Sequence, residues 1–175
     1  MKTVIWRKVA IIIIAVATMS ASAAAQKQGE MAAGANLLFG TTSGYSNVGL
    51  GAKFLYNVTD PIRLAGEFDY FFKKDYTNMW DVSIYGHYLF PVADKIEVYP
   101  SVGLGVVGSR ASIPTISIPG YGIVGGSASH SDFAFSLGAG ADYELTSNLA
   151  LNAEFRIKFI TGSWYNFLVG VAYKF

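Results

Sequence analysis

The chain has 175 residues, of which 52% are hydrophobic and 15% aromatic, with 19 glycines and no cysteine. The lack of cysteine excludes disulfides and thiolate metal sites. The first 25 residues hold three basic residues and no acidic ones, which leaves ten Lys and Arg against 12 Asp and Glu, a balance that argues against nucleic acid as a partner.

The N-terminus has the pattern of an export signal. A basic stretch at residues 2–8 precedes an apolar core at residues 9–17, which is too short to cross a bilayer as a helix. Small residues follow, so we expect a cleaved signal peptide over residues 1–25, with cleavage after Ala23 as the alternative. The remainder, residues 26–175, is expected to form one domain and contains no apolar run long enough for a transmembrane helix.

Eight later segments alternate apolar residues with polar or small ones, which is the period of a β-strand. They cover residues 31–39, 48–58, 62–72, 80–90, 96–106, 133–145, 149–159 and 165–175. No Asp, Glu, Lys or Arg lies on any of the apolar faces. A basic residue facing lipid at mid-bilayer costs about 2–4 kcal/mol. The pattern therefore predicts an all-β fold, an eight-stranded antiparallel up-and-down transmembrane β-barrel.

The connections between the segments alternate in length. Short ones at 59–61, 91–95 and 146–148 carry the Asp, Asn and Pro residues that favour turns. The others are generally longer, at 40–47, 73–79, 107–132 and 160–164. This alternation predicts short periplasmic turns, longer external loops and both termini in the periplasm.

Pro100 interrupts the pattern of the fifth segment. It lies on the apolar face and has no N–H to donate to a neighbouring strand. The sequence therefore predicts a bulge or a local break at this position.

Twelve charged residues lie on the faces opposite the apolar ones. They are Lys53, Arg63, Glu67, Asp69, Asp81, Glu97, Asp142, Glu144, Glu154, Arg156, Lys158 and Lys174. An eight-stranded barrel has an interior just wide enough for side chains to fill. We expect these residues to form a mutually neutralising interior polar network, with a narrow polar conduit as the alternative.

Several glycines share these inward faces. They either leave space for water or let large neighbours such as Tyr85, Tyr99 and Arg156 fold across the interior.

The last segment is aromatic up to the C-terminal Phe175. Together with the export signal, the eight segments and the alternating turns, it resembles the small OmpA/OmpX-type outer-membrane barrels. The resemblance implies residence in the outer membrane of a Gram-negative bacterium, in contact with membrane lipid and lipopolysaccharide. It also implies that Val171, Tyr173 and Phe175 belong to a signal read by the barrel-assembly machinery.

This resemblance favours a structural or surface-interaction role. The alternative is a narrow channel for small solutes or hydrophobic ligands, as in the similar OmpW-type barrels. Residues 108–130 are either a functional external loop or an extension of two strands as a hairpin beyond the membrane. The external partner is not identified by the sequence.

A lipid-modifying enzyme is the least favoured hypothesis. Residues 129–132, Ser-His-Ser-Asp, bring together residue types that a hydrolase needs, but such triads assemble in space and not in sequence. The other histidine, His87, faces inward and is expected to hydrogen-bond an interior carboxylate. With two histidines and no cysteine, we expect no catalytic, cofactor or metal site.

Overall fold

The computed structural model describes residues 28–42, 45–74, 76–118 and 122–175. The predicted signal peptide and its cleavage point lie outside the described residues. The strands are β1 (Met31–Thr42), β2 (Tyr45–Asn57), β3 (Ile62–Lys74), β4 (Thr77–Tyr88), β5 (Phe90–Ala93), β6 (Ile96–Ile118), β7 (Gly122–Thr146), β8 (Leu149–Phe159) and β9 (Ser163–Lys174). In the described ranges, no helix is long and apolar enough to cross a membrane.

These strands form one closed antiparallel sheet. Their order is β4-β3-β2-β1-β9-β8-β7-β6-β5, and β4 also pairs with β6, which closes the sheet on itself. The short β5 continues the line of β4 after Leu89, because Phe90 pairs with Val98 in the register that His87 sets with Ser101. The barrel is therefore eight-stranded, and the predicted fold class is confirmed.

The first and last strands close the barrel. β1 and β9 are paired from Ala32 opposite Lys174 to Thr41 opposite Tyr165. The Phe175 N–H then donates to the Met31 carbonyl at 3.0 Å, so the pairing continues to the last residue. Closure satisfies the backbone groups that an open edge would leave exposed to lipid.

Successive residues of each strand point alternately outward and inward. In β8, Leu151 and Phe155 are exposed, whereas Asn152, Glu154 and Arg156 are buried. The outer wall is apolar, and side chains such as Phe68 and Leu104 are about half exposed. The charged residues of the membrane-crossing segments face inward and most of the large apolar side chains face outward, which is the arrangement of a barrel surrounded by lipid.

The two ends of the barrel differ. At the short-turn end, residues 58–61, 94–95 and 147–148 connect neighbouring strands. At the opposite end, which we call the hairpin end, residues 43–44, 75–76, 119–121 and 160–162 do so. The prediction of generally longer loops at this end was wrong. Most strands extend two or three residues past the predicted segments, and β6 and β7 extend by more than ten.

The longest extension is the β6–β7 hairpin. β4 follows β6 as far as Ala111, and β8 pairs with β7 only from Phe135 onward. Beyond these points β6 and β7 pair with each other up to Ile118 and Gly122. Of the two interpretations of residues 108–130, the strand extension is the one found. It is possible because the backbone N–H and carbonyl groups of the two paired strands hydrogen-bond to each other without a further strand beside them.

The predicted bulge at Pro100 is absent, but a local break is present in the neighbouring strand. Pro100 pairs with Ala139 of β7 without a shift of register. The break is at Leu89, between β4 and β5, where the strand faces the part of β6 that contains Pro100. On its other side, the Leu89 N–H donates to the Pro61 carbonyl at 2.7 Å, which continues the β3–β4 register. Because proline has no N–H, the strand beside it is interrupted while the register is kept.

Candidate functional site: the charged interior

All twelve charged residues singled out from the sequence lie on the inner face of the barrel. Nine are buried: Lys53, Arg63, Glu67, Asp69, Asp81, Asp142, Glu154, Arg156 and Lys158. Glu97, Glu144 and Lys174 lie towards the short-turn end and are half-buried. The strand pleat explains this placement, because residues two apart share one face.

Arg156 makes the most extensive ionic contacts in the interior. Its guanidinium donates to both carboxylate oxygens of Glu67 at 2.6 and 2.8 Å, and to both oxygens of Glu154 at 2.6 and 2.7 Å. The same group lies 3.9 Å from the centre of the Tyr85 ring. Arg156 is on β8 and Glu67 is on β3, on opposite walls of the barrel. The ion pair therefore spans the lumen.

Arg63 makes a second contact across the lumen. Its Nη1 donates to Asp142 Oδ2 at 2.6 Å, joining β3 to β7. Its Nε donates to His87 Nδ1 at 3.2 Å, and the His87 ring stacks on Tyr99 with the ring centres 4.5 Å apart. The expectation that His87 hydrogen-bonds a carboxylate was wrong. The imidazole ring accepts a hydrogen bond from Arg63, because Arg63 is directly opposite His87 on the neighbouring strand.

Two lysines complete the cross-lumen contacts. Lys158 of β8 is ion-paired with Asp81 of β4, which also accepts a hydrogen bond from Ser83. Lys53 of β2 donates to Asn152 Oδ1 of β8 at 2.6 Å, so its closest partner is an amide and not a carboxylate.

Near the short-turn end the contacts are longer. Lys174 Nζ is 3.5 Å from Glu144 and 3.6 Å from Glu30, in a half-exposed group. Glu97 is opposite Asp142 on the neighbouring strand.

Inward glycines make room for large side chains. A Cβ at Gly103 would overlap the Tyr85 ring, and a Cβ at Gly140 would lie 2.6 Å from the Tyr99 hydroxyl. Both tyrosines are almost fully buried. Of the two roles considered for these glycines, room for neighbours is the one found at both positions.

An apolar plug lies inside the barrel near the hairpin end, and the sequence analysis did not identify it. It consists of Leu38, Phe71, Val107, Ala134, Trp164 and Leu168, with Met79 and Ile160 packed against it. The Phe71 and Trp164 rings have their centres 4.6 Å apart. The alternation does indicate the plug, because Phe71 is an apolar residue on the inward face of its strand. The charged residues on the inward faces give no indication of it.

The Ser-His-Ser-Asp segment lies on the hairpin outside this network. His130 Nε2 is 3.0 Å from Asp132 Oδ1, and the His130 side chain is 73% exposed. Ser109 is opposite His130 on the neighbouring strand. Within the described part of the chain, no serine hydroxyl hydrogen-bonds to His130, and no group of three or more potential ligands could hold a metal ion.

Val171, Tyr173 and Phe175 all lie on the outer face of the closing strand. Their side chains are 39%, 54% and 65% exposed. The Phe175 ring packs near Phe54 of β2 with the ring centres 6.4 Å apart. These three residues are outside the charged network.

A closed antiparallel barrel with an apolar outer wall and charged side chains inside is a transmembrane β-barrel. The sequence matches the family described as outer membrane protein beta-barrel domain over residues 11–175. The chain belongs to this family, which places it in the lipid and lipopolysaccharide environment of the Gram-negative outer membrane.

Solved structures of small outer-membrane proteins share the fold. Ail, the attachment invasion locus protein of Yersinia pestis, is 17% identical over 85% of this chain and 99% of its own, with a TM-score of 0.57. Neisserial surface protein A is 16% identical over 83% and 96%, with a TM-score of 0.60. OprG from Pseudomonas aeruginosa is 12% identical over 88% and 99%, with a TM-score of 0.58. No curated protein sequence matches the chain.

Arg156 provides a test of how much the network contributes to stability. Arg156→Gln leaves Glu67 and Glu154 buried without their cation, and we expect the free energy of unfolding to fall by about 3–5 kcal/mol. Urea titration in lipid vesicles, followed by tryptophan fluorescence, measures it. Lys174→Gln, which breaks only long and half-exposed pairs, is the matched control and should cost about 1 kcal/mol or less. Equal losses would contradict a stabilising cross-lumen network.

Proposed function

We propose that this chain is an integral outer-membrane protein with a structural or surface-interaction role, in which polar and charged side chains fill the barrel. The observation that carries the filled barrel of this proposal is the contact of Arg156 with Glu67 on the opposite wall. A second obstruction, the apolar plug, lies between this contact and the hairpin end. Two successive obstructions favour a closed barrel over the alternative of a narrow channel.

The proposal includes an orientation. The short-turn end and both termini face the periplasm, and the hairpin end faces outward. The chain passes through a barrel-assembly machinery on its way to the membrane, with residues 1–25 removed as a signal peptide. We propose neither an enzymatic activity nor a nucleic-acid partner. Among the described residues, no serine hydroxyl bonds to the exposed His130–Asp132 pair, and this supports the part of the proposal that leaves out an enzymatic activity.

Conductance in planar bilayers tests the closed interior. We expect the purified protein to show no steady ionic current, because the plug and the ionic contacts obstruct the lumen in series. A steady current that increased in the Phe71→Ala, Trp164→Ala double variant would favour the channel. Phe72→Ala is the control, because Phe72 is adjacent in sequence but lies on the lipid-facing side.

The surface-interaction role rests on the free edge of β7. Residues 126–134 pair with β6 alone, since β8 joins β7 only at Phe135. Their remaining backbone groups are available to an extended segment of another molecule.

Amide hydrogen exchange tests this role. We expect fast exchange at the β7 edge in purified protein and slower exchange in intact outer membranes, where a partner can cover the edge. The amides of β8, which are paired on both sides, serve as the control and should not change. Identical exchange at the edge in both preparations would argue against a partner bound there.

Phe175 tests the assembly signal. Its ring is largely exposed at the rim, so its deletion should cost only about 1 kcal/mol of folded stability. We expect the deletion to lower the amount of assembled protein in cells while the same chain still refolds in lipid vesicles. Phe175→Tyr, which keeps an aromatic terminus, is the control and should assemble normally. Normal assembly of the deleted chain would remove the targeting role, and failure to refold would assign Phe175 to barrel closure.

A further inference from the structure

A cavity of about 230 Å³ opens at the hairpin end of the lumen. Its apolar floor is formed by Met79, Val107, Ile160 and Trp164, which belong to or pack against the plug. The plug lies directly beneath this floor. If the barrel is closed as proposed above, the cavity is a blind pocket and not the mouth of a conduit.

The rim of this pocket is polar. Thr42, Ser109 and Ser163 contribute hydroxyl groups, and Asp132 is the one charged residue among those that line it. The Asp132 side chain is 35% exposed, and its Oδ1 atom contacts His130. A carboxylate above an apolar floor favours a ligand with an apolar body and a cationic, hydrogen-bond-donating end.

We propose that this pocket binds a small organic ammonium compound. The apolar body would lie against Met79, Val107 and Trp164, and the ammonium group would donate to the Asp132 carboxylate at the rim. The volume is below the range of drug-sized sites, roughly 300–1,000 Å³. This size restricts the ligand to about a single ring with a short chain. Binding from the side of the hairpin requires no passage through the barrel.

The pocket has a built-in reporter. The Trp164 side chain belongs to its floor and is 5% exposed. Trp80 lies on the outer wall, where its indole covers Gly108, and it reports partition of a compound into the surrounding detergent. Trp6 lies in the proposed signal peptide, so in the chain that starts at residue 26, Trp80→Phe assigns the two indole N–H signals in an NMR spectrum by elimination.

Titration with three compounds of the same shape tests the proposal. Phenethylammonium is the cationic probe, 2-phenylethanol the neutral one and phenylacetate the anionic one. We expect the Trp164 signal to shift with phenethylammonium at a Kd about tenfold lower than for 2-phenylethanol, which is the order of a charge-assisted hydrogen bond. Phenylacetate should bind most weakly of the three.

Two carboxylate variants give the comparison its control. Asp132→Asn should remove the preference for the cation, whereas Asp94→Asn, at the opposite end of the barrel, should leave it unchanged. The proposal is overturned if the Trp164 signal does not shift, if Trp80 shifts in parallel with it, or if Asp132→Asn keeps the preference. Because binding is read at Trp164 and conduction in a planar bilayer, this inference and the proposed closed barrel can fail separately.

Discussion

Closure of the backbone hydrogen bonds is the constraint on which the whole structure depends. In lipid no water is present to satisfy an exposed N–H or carbonyl group, so every strand needs two neighbours across the membrane. β9 supplies the second neighbour for β1, and their pairing continues to Phe175. Once the sheet is closed, its pleat assigns each residue within the membrane-crossing part of a strand either to lipid or to the lumen.

The interior follows from this assignment. Charges excluded from the lipid-facing wall must share a lumen as narrow as the reach of one side chain. Arg156 and Arg63 therefore find their carboxylates on opposite walls and not on their own strands alone. Tyr85 and Tyr99 fit because Gly103 and Gly140 leave room for them. Removing one partner of such a buried pair leaves the other charge uncompensated and destabilises the fold. The ion pairs therefore link the stability of strands that share no backbone hydrogen bonds.

Along the barrel axis the contents change from polar to apolar. Half-exposed pairs of Lys174 lie near the short-turn end, the guanidinium contacts of Arg63 and Arg156 follow, and the plug around Phe71 and Trp164 lies near the hairpin end. In the closed barrel proposed here, the ends, and above all the projecting β6–β7 hairpin, are the surfaces open to other molecules. The proposed function thus separates anchoring in the membrane from surface interaction at the hairpin end.

The sequence by itself determined the strand count, the face of each strand and the inward position of all twelve charges, because a period of two and the exclusion of charge from lipid are local properties. It did not determine which charges meet. Arg156 and Glu67 are on strands brought face to face only by closure, and His87 lies beside Arg63 through register. The plug and the pocket above it likewise depend on side chains of several strands that converge at one level of the barrel. Partner choice across a lumen is a property of the closed tertiary structure, and no single segment carries it.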